Sequence, residues 1–140
     1  MVSGPTMCRR ALSGVFAIVL LGGGIAACGG DDEGATIDVT LSEWIVEPDA
    51  SSADAGEIEF VGDNQGGETH ELVVVRAASA ESLPTDADGA VVEDELPEGA
   101  LIGEIEDIEA GSSKAVTLDL EPGGYVLFCN CLLYTSDAAD

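Results

Sequence analysis

The residues of this 140-residue chain best suited to chemistry are one histidine and a few cysteines. His70 is the only histidine, and it directly precedes a β-branched apolar run. Cys129 ends a second apolar run near the C-terminus. An imidazole and a thiolate are both good ligands for transition metals. Taken singly, each is more commonly a hydrogen-bonded loop histidine or a small core hydrophobe, so both interpretations stay open at this point.

Residue arrangements that support enzymatic catalysis are not found in the sequence. There is no Ser/His/Asp spacing, no carboxylate pair in an apolar setting and no phosphate-binding glycine loop. The pairs Gly66-Gly67 and Gly123-Gly124 are better explained as turns. The sequence therefore predicts a protein that is not an enzyme.

Two stretches around these residues resemble the cupredoxins, the blue-copper family that includes plastocyanin and azurin. Residues 64–75, NQGGETHELVVV, are similar to the Asn-x-Gly-x-x-x-His loop that carries the family's first copper ligand. Residues 121–130, EPGGYVLFCN, are similar to the Gly-x-Tyr-x-x-x-Cys strand that supplies the thiolate, and this match is the more specific. The resemblance implies that His70 and Cys129 bind copper in one type 1 site. It also makes the backbone carbonyl of Thr69 a candidate ligand.

A type 1 site needs more ligands than this chain offers. Copper in a trigonal site takes two imidazoles and one thiolate, often with a weak axial thioether. After Asn130, however, the chain has neither histidine nor methionine, and residues 131–140 read CLLYTSDAAD. We interpret these ten residues as a translated sequencing adapter rather than native sequence; the alternative is a natural divergent tail. On this interpretation Cys129-x-Cys131 is not a metal motif, and the remaining ligands are encoded beyond Asn130.

The N-terminal segment predicts export. Arg9 and Arg10 precede the uncharged run Ala11–Ala27, which is slightly shorter than the roughly 20 apolar residues of a membrane-spanning helix. The run ends in Ile25-Ala26-Ala27-Cys28, which resembles a bacterial lipobox. We therefore predict a signal peptide over residues 1–27, lipidation of Cys28 and a flexible acidic tether over residues 28–35. An ordinary signal peptide or an uncleaved anchor helix is the alternative.

This export prediction also bears on the cysteines. Cys8 would leave with the signal peptide and Cys28 would carry lipid, so Cys129 would be the remaining native thiol. An unpaired cysteine in an oxidising compartment needs an explanation, and metal ligation supplies one.

From residue 36 onward, alternating apolar and polar residues predict β-strands and little helix. Seven short strands separated by turn residues indicate an antiparallel sandwich or barrel. They lie near residues 36–41, 44–46, 57–60, 71–76, 102–108, 116–121 and 125–129. With the resemblance, we expect residues 36–130 to form an all-β, cupredoxin-like Greek-key β-sandwich. Its last strand would be missing, which would leave an exposed sheet edge.

The segment Ala77–Ala100 does not fit the strand pattern. It has weak periodicity and is rich in Ala, Asp, Glu and Pro. Connections of this length usually have a function or local structure, so a short helix or a lid is the expectation here.

The charge of the chain is large and one-sided. The formal net charge is −24, and all 28 acidic residues follow Cys28, opposed only by Arg76 and Lys114. Such a surface repels nucleic acid and anionic lipid head groups, which excludes both as partners. It attracts cationic proteins and metal ions. For the charge alone, a solvated surface from a salt-adapted or acid-biased organism is the simpler explanation.

The expected function is that of a copper-binding lipoprotein, extracytoplasmic and held at the cell membrane only by its lipid. It would transfer single electrons or carry copper, with a redox or copper-delivery partner that has a basic surface. The alternative is a metal-free cupredoxin-like binding or structural module of the cell envelope. A copper oxidase fragment is less favoured, because such enzymes need several domains and more histidines.

Overall fold

A computed structural model describes residues 16–21 and 34–130 of the chain. These residues form nine β-strands and two short 3₁₀ helices. In chain order the strands are β1 (Phe16–Leu21), β2 (Ala35–Ser42), β3 (Ile45–Pro48), β4 (Ser52–Asp54), β5 (Gly56–Asn64), β6 (His70–Arg76), β7 (Leu101–Ile108), β8 (Ser113–Leu120) and β9 (Gly123–Phe128). The all-β class expected from the sequence is confirmed. Within the described ranges, no helix has the length and apolar character needed to cross a membrane.

The strands form two sheets that share one hydrophobic core. The first sheet has the order β4-β1-β9-β6-β7, and the second has the order β3-β2-β5-β8. Successive side chains of a strand point to opposite faces, so alternation in the sequence becomes burial of one face. In β2 the inward residues Ile37, Val39 and Leu41 are buried in the core that both sheets line. The two-sheet β-sandwich predicted from this alternation is therefore confirmed, but its sheets are not purely antiparallel as expected, because β2 pairs parallel with β5 and β1 with β4.

Strand β6 is buried on both faces, which explains its continuous apolar run. Its residues Leu72 and Val74 join the core between the sheets, whereas Val73 and Val75 pack on the outer face. That outer face is covered by Leu83 and by other apolar side chains of residues 77–100. A strand covered on both sides reads as a run of Val, Ile and Leu rather than as an alternation.

The segment Ala77–Ala100 is therefore a cover over the outer face of the first sheet. It contains the two 3₁₀ helices, Ala80–Ser82 and Glu93–Glu95. The expectation of short local helix in this segment is met by these two single turns.

Strand β1 comes from the segment that the sequence analysis assigned to the signal peptide. It pairs antiparallel with β9 and parallel with β4. Its residues Ile18 and Leu20 are 0% and 3% exposed and belong to the main core, whereas Val19 is 51% exposed. Since β6 pairs with the other side of β9, β9 is an interior strand of the first sheet.

Candidate metal centre

The pairing of two neighbouring strands brings His70 and Cys129 together. His70 is the first residue of β6, and Cys129 directly follows the last residue of β9. The two strands are antiparallel, with Val73 opposite Phe128, so the start of β6 lies beside the end of β9. Both side chains singled out from the sequence are therefore at the same end of the first sheet.

The two side chains are close and almost completely buried. Sγ of Cys129 lies 3.7 Å from Nδ1 of His70. The two residues are 7% and 5% exposed, respectively. The backbone N–H of Glu71 donates to Sγ of Cys129 at 3.5 Å. A hydrogen bond to a cysteine sulfur stabilises thiolate charge and is one way in which a protein tunes a metal–thiolate bond.

Cys129 is disulfide-bonded in this structure. The other cysteines of the chain, Cys8, Cys28 and Cys131, all lie outside the described residues. The thiolate, and not a disulfide sulfur, is the metal ligand. Metal binding at Cys129 therefore requires its reduced form.

His70 ends a loop that Asn64 holds in place. The Asn64 side chain is 0% exposed, and its Nδ2 donates to the carbonyl oxygens of Glu68 at 2.7 Å and Ile108 at 2.8 Å. Its Oδ1 accepts a hydrogen bond from the N–H of Gly66 at 2.9 Å. Because buried polar groups are stable only when hydrogen-bonded, this amide fixes the loop against the end of β7.

On the other side of the site, Asn130 fixes the chain just after Cys129. Its Nδ2 donates to the carbonyl of Val91 at 2.9 Å, and its Oδ1 accepts from the Val91 N–H at 3.0 Å. The end of β9 is thereby attached to the cover formed by residues 77–100.

Glu43 lies in the two-residue turn between β2 and β3 and contacts the His70 loop. Its Oε1 accepts hydrogen bonds from the backbone N–H groups of Gly67 at 2.7 Å and Glu68 at 3.0 Å. The same oxygen is 3.5 Å from Nε2 of His70. Hydrogen bonds from its own backbone N–H and from that of Gly67 lower the pKa of Glu43 below its usual range. A carboxylate charge is thus held next to the imidazole.

Glu71 places a second carboxyl group beside the site. Burial, followed by the charge of Glu93, raises its pKa to about 7. Glu104 and Glu106 of β7 act in the same direction, and a hydrogen bond from the backbone of Asn130 opposes them. This carboxyl group therefore exchanges its proton near neutral pH.

Two predicted site residues remain, Thr69 and Cys28. Thr69 precedes His70 and is exposed, whereas Cys28 lies outside the described residues. Among residues 16–21 and 34–130, no group of three or more His, Cys, Asp or Glu side chains is arranged to hold a metal ion. His70 and Cys129 are therefore two neighbouring candidate ligands, one imidazole and one sulfur.

Sequence reasoning did not identify Glu43 as part of this site. A single acidic residue among 28 carries no signal of its own, and its contact with His70 depends on strand pairing in the second sheet. Asn64 was present in the matched stretch, but the sequence could not show which groups its amide would bind.

Comparisons with known proteins found no matching family model and no matching curated protein. Among solved structures, the chain is similar to dithionite-reduced auracyanin from the photosynthetic bacterium Roseiflexus castenholzii. That match has a TM-score of 0.46 and 19% sequence identity, and it covers 76% of this chain and 91% of the other. The chain is also similar to auracyanin B, with a TM-score of 0.43 and 17% identity, covering 91% of this chain and 92% of the other.

The fold brings together the two stretches that were singled out in the sequence. Two sheets enclose the core, the Asn64 loop leads into His70 at the start of β6, and Cys129 follows the adjacent strand β9. The described domain is a two-sheet β-sandwich with His70 and Cys129 side by side at one end of its first sheet.

Proposed function

We propose that the intact protein binds one copper ion through Nδ1 of His70 and the thiolate of Cys129. When bound, copper would supply one-electron exchange. The protein would then serve as a single-electron carrier or as a carrier of copper. The observation that supports this proposal best is the 3.7 Å separation of the two atoms.

This separation fits two ligands that share one metal ion. The two atoms are 3.7 Å apart, so Nδ1 of His70 and Sγ of Cys129 could both hold one metal ion without a large movement of either side chain. A soft thiolate beside an imidazole is also the donor pair that copper accepts well.

The surroundings support the same role. Almost complete burial of both side chains limits the access of water, and the N–H of Glu71 points at the sulfur. Asn64 and Asn130 fix the backbone on either side of the pair through buried or half-buried hydrogen bonds. A ligand set fixed in this way needs little rearrangement when the charge of the metal changes.

We propose further that the second imidazole and an axial ligand are encoded beyond Asn130, with residues 131–140 being non-native. The Thr69 carbonyl remains a candidate additional ligand. With only two side-chain ligands, the 140-residue chain should bind copper weakly, and only when Cys129 is reduced.

We also propose that the signal peptide is cleaved before Cys28 and that lipid on this cysteine holds the domain outside the cytoplasmic membrane. The acidic surface would then select a partner protein with a basic surface, and nucleic acid would be repelled. No enzymatic activity is part of this proposal.

The second candidate function is a metal-free binding or structural module of the cell envelope. The observation that favours it is the place of Cys129 in the main core, where it is 7% exposed, because a buried strand cysteine can also serve simply as a small core hydrophobe.

The test is to sequence the gene beyond Asn130, produce the full-length reduced protein and add Cu(II). We expect one copper per chain and the intense thiolate-to-copper absorption of a blue site. Cys129→Ser should abolish the absorption, and His70→Ala should abolish or strongly shift it. Arg76→Gln, at the far end of β6, serves as the matched control and should leave it unchanged. A colourless full-length protein that takes up no copper would establish the metal-free alternative.

A further inference from the structure

We propose that Glu43 is a positioning residue that holds His70 in the tautomer with the proton on Nε2, so that the Nδ1 lone pair faces Cys129. This inference rests on the proposed function for its purpose, but it concerns the metal-free protein and is tested there.

The two nitrogens of the His70 ring face chemically different groups. Nδ1 is 3.7 Å from Sγ of Cys129, and Nε2 is 3.5 Å from Oε1 of Glu43. A neutral imidazole carries one N–H and one lone pair, whereas an ionised carboxylate can only accept hydrogen bonds. The proton is therefore favoured on the nitrogen beside Glu43. The lone pair then lies on the nitrogen that a metal held by Cys129 would meet.

The carboxylate is itself held in position by the loop that carries His70. The backbone N–H groups of Gly67 and Glu68 donate to the oxygen that faces the ring. Glu43 is 39% exposed at the side chain, while His70 is 5% exposed. Backbone hydrogen bonds thus hold an otherwise half-exposed carboxylate against a buried imidazole, and the hairpin of the second sheet is tied to a ligand on the first sheet.

Gly66 keeps the space for this carboxylate open. A Cβ atom at position 66 would lie 2.5 Å from Oε1 and 2.9 Å from Oε2 of Glu43. Such distances force the carboxylate to move, because real Cβ contacts are longer. Gly66→Ala therefore displaces the carboxylate without removing its charge from the protein.

The chemical consequence follows from the way in which proteins tune metal-bound imidazoles. A ligating histidine usually donates its other ring N–H to a carboxylate, a carbonyl or water, which fixes the ring and raises its basicity. Loss of such a partner typically costs about 10–100-fold in metal affinity. We expect a loss of that size for Glu43→Ala in the full-length protein.

The decisive experiment uses nitrogen NMR of the reduced, metal-free chain at about pH 7.5, where an ordinary imidazole is mostly neutral and an ordinary thiol is mostly protonated. Because His70 is the only histidine, one pair of ring nitrogens reports directly on the tautomer. We expect a dominant Nε2–H form in the wild type and a mixed population in Glu43→Ala and Gly66→Ala. Glu43→Gln, whose amide oxygen can still accept, should retain most of the wild-type form. Glu47→Ala, an exposed change in β3 of the same hairpin, should not differ from the wild type.

Two outcomes would overturn the proposal. One is an unchanged tautomer in folded Glu43→Ala, and the other is a wild-type protein dominated by the Nδ1–H form. If Glu43→Ala does not fold, Gly66→Ala decides the question by the same measurement. A copper titration of the full-length protein is read separately. The expected tautomer shift without copper uptake would reject the proposed function and leave the role of Glu43 established.

Discussion

Asn64 is the buried polar residue on which the geometry of the His70 loop depends. Its side chain makes three hydrogen bonds to backbone groups, two as donor and one as acceptor. Removing a buried polar partner leaves the groups that it satisfied without compensation, which is costly in a site closed to water.

We predict that Asn64→Ala lowers the free energy of unfolding by about 2–3 kcal/mol, as measured by urea denaturation of the reduced chain. The neighbouring change Gln65→Ala is the control. Gln65 is exposed, so its loss should stay within about 0.5 kcal/mol. Equal effects of the two substitutions would show that the amide of Asn64 does not organise the loop.

The raised pKa of Glu71 leads to a prediction about how stability depends on pH. Folding moves its pKa from the ordinary value of 4.5 to about 7, chiefly through burial. Between these values the folded state binds more protons than the unfolded state, so stability falls as pH rises through this window. Below pH 4.5 both states are protonated, and above pH 7 both are ionised.

Glu71→Gln should therefore flatten the stability curve between about pH 4.5 and 7, relative to the wild type. Urea denaturation midpoints at several pH values measure the effect. Because other carboxylates also repel one another as pH rises, Glu59→Gln on the second sheet is the charge-matched control. If the two variants show the same curve, burial of Glu71 is not the cause of the pH dependence.

Among the strands, β1 is the one whose presence in the mature protein depends on processing of the chain. The same apolar run reads as a signal peptide in sequence and forms a strand between β9 and β4 in the structure. Cleavage before Cys28 would remove this strand, and with it two residues of the core. A mature domain produced by the proposed cleavage would therefore lack β1.

The prediction is made for the uncleaved chain. Ile18→Ala should lower the free energy of unfolding by about 2–5 kcal/mol, because Ile18 is completely buried and its loss leaves a cavity. Val19→Ala is the matched control on the exposed face of the strand, and its effect should be within about 0.5 kcal/mol. Small and equal effects would mean that β1 does not contribute to the folded domain.

The strands show which parts of the fold could be predicted from the sequence. All seven predicted strands are present, because each carries the alternation or apolar run that burial on a sheet demands. Strand β4, Ser52–Asp54, was not predicted, since Ser-Ala-Asp in a turn-rich stretch carries no such pattern. Strand β1 was not predicted either, because an apolar leader and a buried strand have the same composition.

The candidate site, like the fold, could be predicted from the sequence only in part. The proximity of His70 and Cys129 could be predicted because two local stretches resemble the family in which these positions meet. Glu43 could not be predicted, since its contact with His70 depends on a hairpin in the other sheet. Local patterns thus indicated the two candidate ligands, whereas the contacts around them required the three-dimensional structure.

For the whole molecule, the main physical constraint is self-repulsion. The formal net charge is −24, and folding concentrates the acidic residues on the surface of a small domain. Charge far from neutrality keeps a protein soluble but destabilises its compact state. Repulsion between surface charges is screened by salt, with a Debye length of about 30 Å at 0.01 M and about 3 Å at 1 M. The domain should therefore become more stable as the salt concentration rises.

One cross-strand pair allows this repulsion to be measured locally. Glu57 of β5 lies directly opposite Asp119 of β8, and both are exposed. Like charges in this position are unfavourable, whereas opposite charges contribute about 0.2–1 kcal/mol. Glu57→Lys should therefore raise the free energy of unfolding at low salt, and the gain should shrink as sodium chloride is added.

Glu59→Lys makes the same change in net charge opposite the neutral Thr117, so its gain should be smaller. Urea denaturation at 0.01 and 1 M salt compares the variants. Equal gains would assign the effect to net charge alone, and gains that persist at 1 M salt would exclude screened repulsion as their cause.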